Sequence, residues 1–134
     1  MNVLLGIDLQ SVDEVEESIT RFGKRYTTRL FTEHELDCCR GDTRTTAHGL
    51  AGRFAAKEAV MKALGAGDEV LTWRSIEVRR GPGGGPSISL SGAAEQLARR
   101  QGVRDFSVSL SHDRGYAVAA VIAEAVPRRF GGVR

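Results

Sequence analysis

Three charged side chains, Asp8, Glu58 and Lys62, have the types and spacing of a divalent-cation site. Glu58 and Lys62 are four residues apart, which places them about 6 Å apart along one face of a helix. Asp8 ends an apolar stretch typical of a strand and is a second carboxylate that needs a partner. Mg²⁺ prefers one or two carboxylates together with water and phosphate oxygens. Helical spacing alone favours a simple surface ion pair between Glu58 and Lys62, whereas the apolar surroundings and Asp8 favour a metal site.

Two other motifs are less suited to catalysis. The glycine-rich segment 81–86 lacks the Gly-Lys-Ser/Thr ending of a phosphate loop and opens onto a strand, so it predicts a hairpin turn. Ser111, His112 and Asp113 cannot form a triad, because successive strand side chains point to opposite faces. His112 itself, at the end of a predicted strand, is either a hydrogen-bonded structural histidine or a phosphate contact.

Composition limits the class of protein. The chain has 134 residues, of which 41% are hydrophobic and 27% charged, as in a globular domain. No apolar run reaches the roughly 20 residues of a membrane span, and the first residues do not resemble a signal peptide. The net charge of +2 is too small to indicate nucleic-acid binding. We therefore expect a cytoplasmic protein that binds neither membranes nor nucleic acid, with Cys38 and Cys39 as reduced thiols.

Helical and strand patterns alternate along the whole chain. Ser11 and Thr32 each precede a glutamate by three residues, which predicts two capped helices. The strand at 116–123 is apolar or small on both faces, so we expect helices or another subunit to cover both. We expect one domain over 1–126 and a loose tail at 127–134. The predicted elements are a buried strand at 3–9, helices at 11–22, 32–40, 46–64 and 91–102, and strands at 75–80, 86–90, 105–112 and 116–124, with a loop at 41–46.

Five motifs, taken in order, resemble those of the holo-acyl-carrier-protein synthases, which are small 4′-phosphopantetheinyl transferases. The resemblance extends over nearly all of 3–124, and the helix motif with its upstream aspartate is the most specific part. The motifs are GIDLQSV (6–12), FTEHE (31–35), AGRFAAKEAVMKALG (51–65), GGGPSISLSG (83–92) and VSLSHDRGYAVAAVI (108–122).

The resemblance implies an α+β fold, with an antiparallel sheet packed against a long central helix, in a homotrimer with active sites between subunits. It implies transfer of the 4′-phosphopantetheine arm of coenzyme A to a serine of an apo acyl carrier protein. Asp8 and Glu58 match the family's Mg²⁺ ligands, and Lys62 matches its phosphate-contacting lysine. These three are the expected catalytic residues, with Glu58 or a water as the base. The positions that match coenzyme A contacts are Arg53, Phe54, Lys62, Gly65, Pro86 and His112.

One position departs from the family pattern. Many members carry an arginine six residues after the metal-binding aspartate, where it meets the acidic helix of the carrier, and this chain has Glu14 there. We expect carrier docking to differ. Either a basic run replaces that arginine, or the carrier is unusual, such as a domain of a fatty-acid or polyketide synthase. The basic run consists of Arg21, Lys24, Arg25 and Arg29.

Two other function classes compete with the transferase. A carrier-binding scaffold that has lost turnover would explain the acidic first helix, but the intact Asp8, Glu58 and Lys62 argue against it. A small basic nucleic-acid-binding domain is disfavoured, because the hairpin strands offer few aromatic side chains for base stacking. The sequence leaves open which carrier is used and whether acylated coenzyme A is accepted.

Overall fold

A computed structural model describes residues 2–67 and 71–126 of the chain, so the expected tail at 127–134 lies outside the described residues. None of the helices within those ranges is long and apolar enough to cross a membrane. The elements are β1 (Asn2–Ser11), α1 (Val12–Phe22), α2 (Lys24–Leu30), α3 (Glu33–Cys38), α4 (Thr43–Leu64), a 3-10 turn (Trp73–Ser75), β2 (Ile76–Arg80), β3 (Pro86–Leu90), α5 (Gly92–Arg100), β4 (Ser107–Asp113) and β5 (Tyr116–Ala125).

Two antiparallel sheets form the β part of the fold. The larger sheet has the strand order β1–β5–β4, and β2 pairs with β3 in a separate two-stranded sheet. Across the larger sheet, Gln10 lies opposite Ala117, and Ala117 lies opposite His112. The ends of β1 and β4 therefore lie on either side of the same position in β5. The expected α+β fold, with an antiparallel sheet packed on a long helix, is confirmed.

The long helix α4 packs on the inner face of the larger sheet. Small side chains line this contact, and Ala55, Ala59 and Ala119 are completely buried. Gly6 on β1 has no side chain because α4 passes directly over it: a Cβ there would lie 1.9 Å from the carbonyl oxygen of Ala59. The close approach fixes where β1 crosses α4, and the residues on either side of Gly6 are brought beside the second half of the helix.

Local signals predicted two helix starts correctly. Ser11 Oγ accepts a hydrogen bond from the backbone N–H of Glu14 (3.2 Å), and Thr32 begins α3 with a complete capping box. The start of α4 was expected near Thr46 but lies at Thr43, because the side chain of Asp42 accepts from the N–H of Thr45 at 2.8 Å. The helix α2 was not predicted. It is a separate helix of 7 residues that follows Gly23, whose φ of 55° ends α1.

The expectation that the first strand is buried was wrong for one of its faces. On β1, Val3, Leu5, Ile7 and Leu9 are between 59% and 69% exposed. The neighbouring strand β5 likewise has Ile122 47% exposed on this outer face. The described helices pack on the inner face alone, so within one chain only that face of β1 and β5 is covered. The outer apolar face is formed by Val3, Leu5, Ile7, Leu9, Tyr116, Val118, Ala120 and Ile122.

Candidate active site

Asp8 lies where β1 crosses under α4, two residues after Gly6 and on the same face of the strand. Its side chain is only 11% exposed. The ammonium Nζ of Lys62 donates to Asp8 Oδ1 at 2.9 Å and to the carbonyl oxygen of Ile7 at 3.0 Å. The amide Nε2 of Gln10 donates to Asp8 Oδ2 at 2.7 Å. Both oxygens of this carboxylate are thus oriented by neighbours from β1 and α4.

Glu58 lies on α4 one turn before Lys62 and faces the same space as Asp8. Burial raises the pKa of the Glu58 carboxyl, and the charge of Asp8 raises it further, while Lys62 lowers it. Lys62 pairs with Asp8 and not with Glu58, so the simple i,i+4 ion pair does not form. Among the described residues, no hydrogen bond or ion pair holds the Glu58 carboxylate. The structure therefore brings Asp8, Glu58 and Lys62 into one cluster, in which a single cation faces two carboxylates.

This carboxylate–lysine cluster fits a cation that keeps part of its coordination shell. Within the described residues, no group of three or more His, Cys, Asp or Glu side chains could hold a metal ion by itself. Asp8 and Glu58 supply two carboxylates and no nitrogen or sulfur ligand. Mg²⁺ is commonly bound by one or two carboxylates, with the remaining positions taken by water and substrate phosphate oxygens. The donor set is compatible with Mg²⁺ bound together with a phosphate-bearing substrate.

Arg53 and Phe54 lie on α4 before the cluster and are both half-buried. Arg53 donates to the carbonyl oxygen of Gly49 at 3.3 Å, while its buried Nε has no partner among the described residues. A buried N–H without an acceptor costs roughly 1–3 kcal/mol, so this atom is suited to an acceptor from outside the chain. The ring of Phe54 packs against Phe31 (6.4 Å between centroids) and Trp73 (5.0 Å).

Gly65 and Pro86 lie apart from each other. Gly65 ends α4 in the left-handed conformation, with φ of 60°, and its N–H donates to the carbonyl oxygens of Lys62 and Met61. This is the structural role of a C-terminal glycine. Pro86 is exposed at the start of β3 and lies opposite Arg80 in the two-stranded sheet. No contact within the described residues joins Pro86 to the carboxylate–lysine cluster.

His112 points to the same side of the larger sheet as Asp8. Its Nε2 lies 2.9 Å from the carbonyl oxygen of His48, and its ring stacks on the ring of His48. Two strand spacings separate β4 from β1, so about 10 Å lies between His112 and the row of Asp8 and Gln10. One chain therefore does not bring His112 into contact with the cluster, although both border the same face of α4.

The remaining motifs have structural explanations. The segment 81–86 forms the turn between β2 and β3, closed by a hydrogen bond from Gly84 N to Gly81 O at 2.9 Å, as expected for a hairpin. Ser111 is exposed on the outer face of the sheet, opposite Val118, so it does not meet His112 on the inner face. Both cysteines are free thiols, with Cys38 exposed and Cys39 buried.

A buried ion pair next to the cluster was not predicted from sequence. Lys57 and Glu35 are each 0% exposed, and Nζ lies 2.8 Å from Oε1. Glu35 belongs to the FTEHE motif. From sequence, Glu35 was predicted only to form the capping box with Thr32. The signal that could have revealed the pair is a lysine inside an alanine-rich helix. The other hydrogen-bond partners of the pair are backbone groups: the N–H of Thr32 (2.9 Å) and of Val78 (2.7 Å), and the carbonyls of Trp73 (3.1 Å) and Ile76.

Comparison with known proteins decides the family. The family model of the 4′-phosphopantetheinyl transferase superfamily matches residues 4–121. The chain belongs to this superfamily. The holo-[acyl-carrier-protein] synthase of Desulforudis audaxviator (strain MP104C) is 46% identical over 119 residues, which are 89% of this chain and 90% of that protein. The holo-[acyl-carrier-protein] synthase of Moorella thermoacetica (strain ATCC 39073 / JCM 9320) is also 46% identical, over 120 residues. The match covers 90% of this chain and 92% of that protein.

Solved structures agree with the transferase fold. The Helicobacter pylori holo-[acyl-carrier-protein] synthase in complex with coenzyme A superposes with a TM-score of 0.78 and 30% sequence identity, covering 90% of this chain and 100% of that one. The resemblance to this transferase family found in the sequence is therefore confirmed. Gln10, His48 and Trp73 contact expected site residues and were not identified from sequence. The contacts of His48 and Trp73 are made through the tertiary fold, whereas Gln10 contacts Asp8 two positions away on the same strand.

Proposed function

We propose that the chain transfers the 4′-phosphopantetheine arm of coenzyme A to a serine of an apo acyl carrier protein and releases adenosine 3′,5′-bisphosphate. The carboxylate–lysine cluster, present in a member of this superfamily, is the observation that carries the proposal. The names of the relatives, which match 89–90% of the chain at 46% identity, support this pair of substrates. We further propose that residues 1–126 form a single transferase domain that works in the cytoplasm.

We infer that Asp8 and Glu58 hold Mg²⁺ together with the diphosphate of coenzyme A. The support is electrostatic: the charge of Asp8 raises the pKa of Glu58, and a cation between them would relieve the repulsion. When bound, Mg²⁺ would neutralise charge on the diphosphate oxygens during phosphoryl transfer. The hydrogen bonds from Gln10 and Lys62 orient the carboxylate of Asp8 before the ion binds.

Lys62 and Glu58 supply the remaining chemistry. The Lys62 side chain is 54% exposed, so its ammonium can turn from Asp8 to a phosphate of the bound donor. The hydrogen bond to Asp8 raises the pKa of Lys62, which keeps it cationic at neutral pH. The Glu58 carboxylate would be ionised and able to accept a proton at neutral pH, because Mg²⁺ bound to it would lower its raised pKa. Glu58 takes the proton of the carrier serine either directly or through a water, and both routes stay open.

Coenzyme A binding is assigned to Arg53, Phe54, Lys62, Gly65, Pro86 and His112 as a proposal. The unpartnered Nε of Arg53 is the feature that best suits an anionic ligand. Pro86 and His112 do not touch the carboxylate–lysine cluster of their own chain. We infer that some of these residues serve a site formed with a neighbouring subunit.

A homotrimer is proposed because the outer apolar face needs a partner. Four side chains of β1, with exposures of 59–69%, form one row on this face, and Ile122 of β5 adds to them. A contiguous apolar surface of this kind on a folded chain indicates a protein–protein interface. A cyclic assembly of identical subunits would bury the face and bring neighbouring sites together.

We propose that the carrier docks on the basic run and not on the first turn of α1. Arg44 binds Asp13 (2.6 Å) and Glu16 (2.9 Å), so two of the acidic side chains of α1 are already paired with a cation. A groove of about 440 Å³ lies beside the basic run and combines aromatic and cationic side chains. The groove is lined by Phe22, Arg25, Tyr26, Arg29, Leu30 and Trp73.

The docking proposal is tested by charge reversal. Arg21→Glu plus Arg25→Glu is expected to raise the KM for the carrier about tenfold or more, with coenzyme A binding unchanged, because both charges line the proposed dock. Arg99→Glu plus Arg104→Glu is the matched control on another surface. An unchanged carrier KM in the first double variant would exclude the basic run as the dock.

Transfer itself is tested by mass spectrometry. The protein is incubated with coenzyme A, Mg²⁺ and candidate apo carriers, and the carrier should gain the mass of one phosphopantetheine arm. Chelation of divalent cations should abolish the gain. Glu58→Gln should reduce transfer at least a hundredfold while the variant stays folded. Glu95→Gln, on the exposed face of α5, is the control and should keep full activity. A carrier that binds without any mass gain would instead indicate the scaffold function.

A further inference from the structure

His48 and His112 form a stacked pair that does not contact the carboxylate–lysine cluster of its own chain. Their ring centroids lie 3.8 Å apart, with an interplanar angle of 18°. His48 comes from the first half of α4 and His112 from the end of β4, so the stack joins two elements that border the proposed site. The proposed function uses His112 as a coenzyme A contact and gives no role to His48.

The hydrogen bond between the two residues fixes the tautomer of His112. The Nε2 atom lies 2.9 Å from the backbone carbonyl oxygen of His48. A carbonyl oxygen can only accept, so Nε2 of His112 carries the hydrogen and Nδ1 of the neutral ring has the lone pair. The His112 ring makes no second hydrogen bond within residues 2–67 and 71–126. The nitrogen that is free to meet a ligand is therefore Nδ1.

The helix also fixes the position of the His112 ring. A Cβ on Gly52 would lie 3.2 Å from Cε1 and 3.3 Å from Nε2 of His112, which is closer than ordinary contact. The ring therefore lies close against the backbone of α4 at Gly52, where a larger residue would crowd it. The imidazole of His48 covers it on one side, and its carbonyl holds Nε2.

We propose that His48 is a positioning residue, which holds His112 in the Nε2–H form with Nδ1 available to an anionic phosphate group of the donor substrate, and that the stack carries a single proton when that phosphate binds. The proposal rests on the proposed function, because the donor phosphate comes from coenzyme A. It adds a residue that acts through His112 and touches no reacting atom.

The charges on α4 and α1 favour a single proton. Two stacked imidazolium rings repel each other, so protonation of one ring disfavours protonation of the other. Burial, His112 and Arg44 together lower the pKa of His48. Arg44 is itself bound by Asp13 and Glu16 on α1. His48 is therefore the ring that stays neutral, and it stacks on His112 without competing for the proton.

The sheet adds little charge to the stack. On β4, the next residue Asp113 is 85% exposed and lies 3.9 Å from Arg114. On β5, the residue opposite His112 is Ala117, which carries no charge. The sheet therefore offers the His112 ring no buried carboxylate, so a bound anion would be the opposite charge that the ring meets.

The first test is spectroscopic and does not depend on turnover. The chain has 3 histidines, so the imidazole nitrogen resonances can be assigned with the His34→Ala and His112→Ala variants. In the wild-type protein, the neutral His112 ring is expected as the Nε2–H tautomer. His48→Ala keeps the backbone carbonyl that binds Nε2, so the tautomer should stay, but the His112 ring loses its stacking partner and its NMR resonances should broaden. His48→Phe, which stacks but has no titratable ring, should restore the sharp resonances. A His112 ring as well ordered in His48→Ala as in the wild type would overturn the proposal.

The second test separates binding from chemistry. His48 is exposed, so its substitution leaves the core intact. His48→Ala is expected to raise the KM for coenzyme A about fivefold with kcat within about twofold, since it removes an aromatic stacking contact. His48→Phe should restore the KM, and His34→Ala should have no effect. Equal KM values for His48→Ala and wild type would refute the role of His48. A wild-type protein that neither binds coenzyme A nor transfers the phosphopantetheine arm would instead refute the proposed function.

Discussion

The buried pair of Lys57 and Glu35 gives the sharpest stability prediction. Both side chains are 0% exposed, and every hydrogen-bonding group near them is satisfied by the other or by backbone. Lys57→Met removes the cation and leaves the Glu35 carboxylate buried without an opposite charge. Breaking a buried ion pair in this way costs about 3–5 kcal/mol of unfolding free energy. For a domain of this size, 1 kcal/mol corresponds to about 4 °C, so Tm should fall by about 12–20 °C.

The cause is uncompensated charge, and a double-mutant cycle tests that reasoning. Glu35→Gln alone should be similarly costly, because its amide group places an N–H donor against backbone N–H donors and leaves Lys57 unpaired. In the Lys57→Met background, however, Glu35→Gln removes a buried charge that no longer has a partner. The double variant should therefore lose less unfolding free energy than the two single variants lose together, with a coupling energy of at least about 2 kcal/mol.

Urea denaturation followed by far-ultraviolet circular dichroism at neutral pH measures these free energies. The control is Glu95→Gln, which breaks an exposed pair with Arg99 of 3.4 Å and should cost less than about 0.5 kcal/mol. A cost for Lys57→Met as small as that of the control would refute the reasoning. So would a coupling energy within about 0.5 kcal/mol of zero, since the two charges would then not depend on each other.

Three further predictions follow from the crossing of β1 and α4 and from the outer apolar face. Gly6→Ala should lower the free energy of unfolding by at least about 1–3 kcal/mol and abolish most transfer, because its Cβ would lie 1.9 Å from Ala59 O. Equal urea midpoints for variant and wild type would contradict this. Asp8→Asn should lower the pKa of Glu58 in metal-free protein, because the substitution removes a negative charge that raises this pKa. NMR titration of the carboxyl groups measures the pKa, and an unchanged value would disprove the electrostatic interaction. Leu5→Lys, at a position 69% exposed on the outer apolar face, should convert a trimer to monomers in light scattering, whereas an intact trimer would place the interface elsewhere.

Local structure could be predicted from sequence where the decisive contacts are local. The capping box at Thr32 joins residues three positions apart, and β3 (Pro86–Leu90) follows a turn whose glycines mark its bounds. The same reasoning missed α2 and the first turn of α4. Asp42 lies in a polar stretch that was interpreted as a loop, although its capping of Thr45 is a local contact between residues three positions apart.

The sequence singled out Asp8, Glu58 and Lys62 as candidates but did not predict how they pair. Helical spacing made Glu58 the natural partner of Lys62, whereas the fold pairs Lys62 with Asp8, 54 positions away. Likewise, Lys57 was one of several charges on an amphipathic pattern, and only the packing of α3 and β2 onto α4 shows that it is buried against Glu35. Sequence distance carries little information about such contacts.

The sequence by itself determined the capped helices and the transferase family and singled out Asp8, Glu58 and Lys62 as candidates, because these inferences depend on residue type and on neighbours within a few positions. The tertiary structure decided which charges meet. The reason is the packing of α4 on β1: the missing side chain at Gly6 lets the helix backbone lie against the strand, and this approach sets Asp8 beside Lys62 and Glu58. A pattern of residue types cannot specify that distance, since it is the outcome of the whole core.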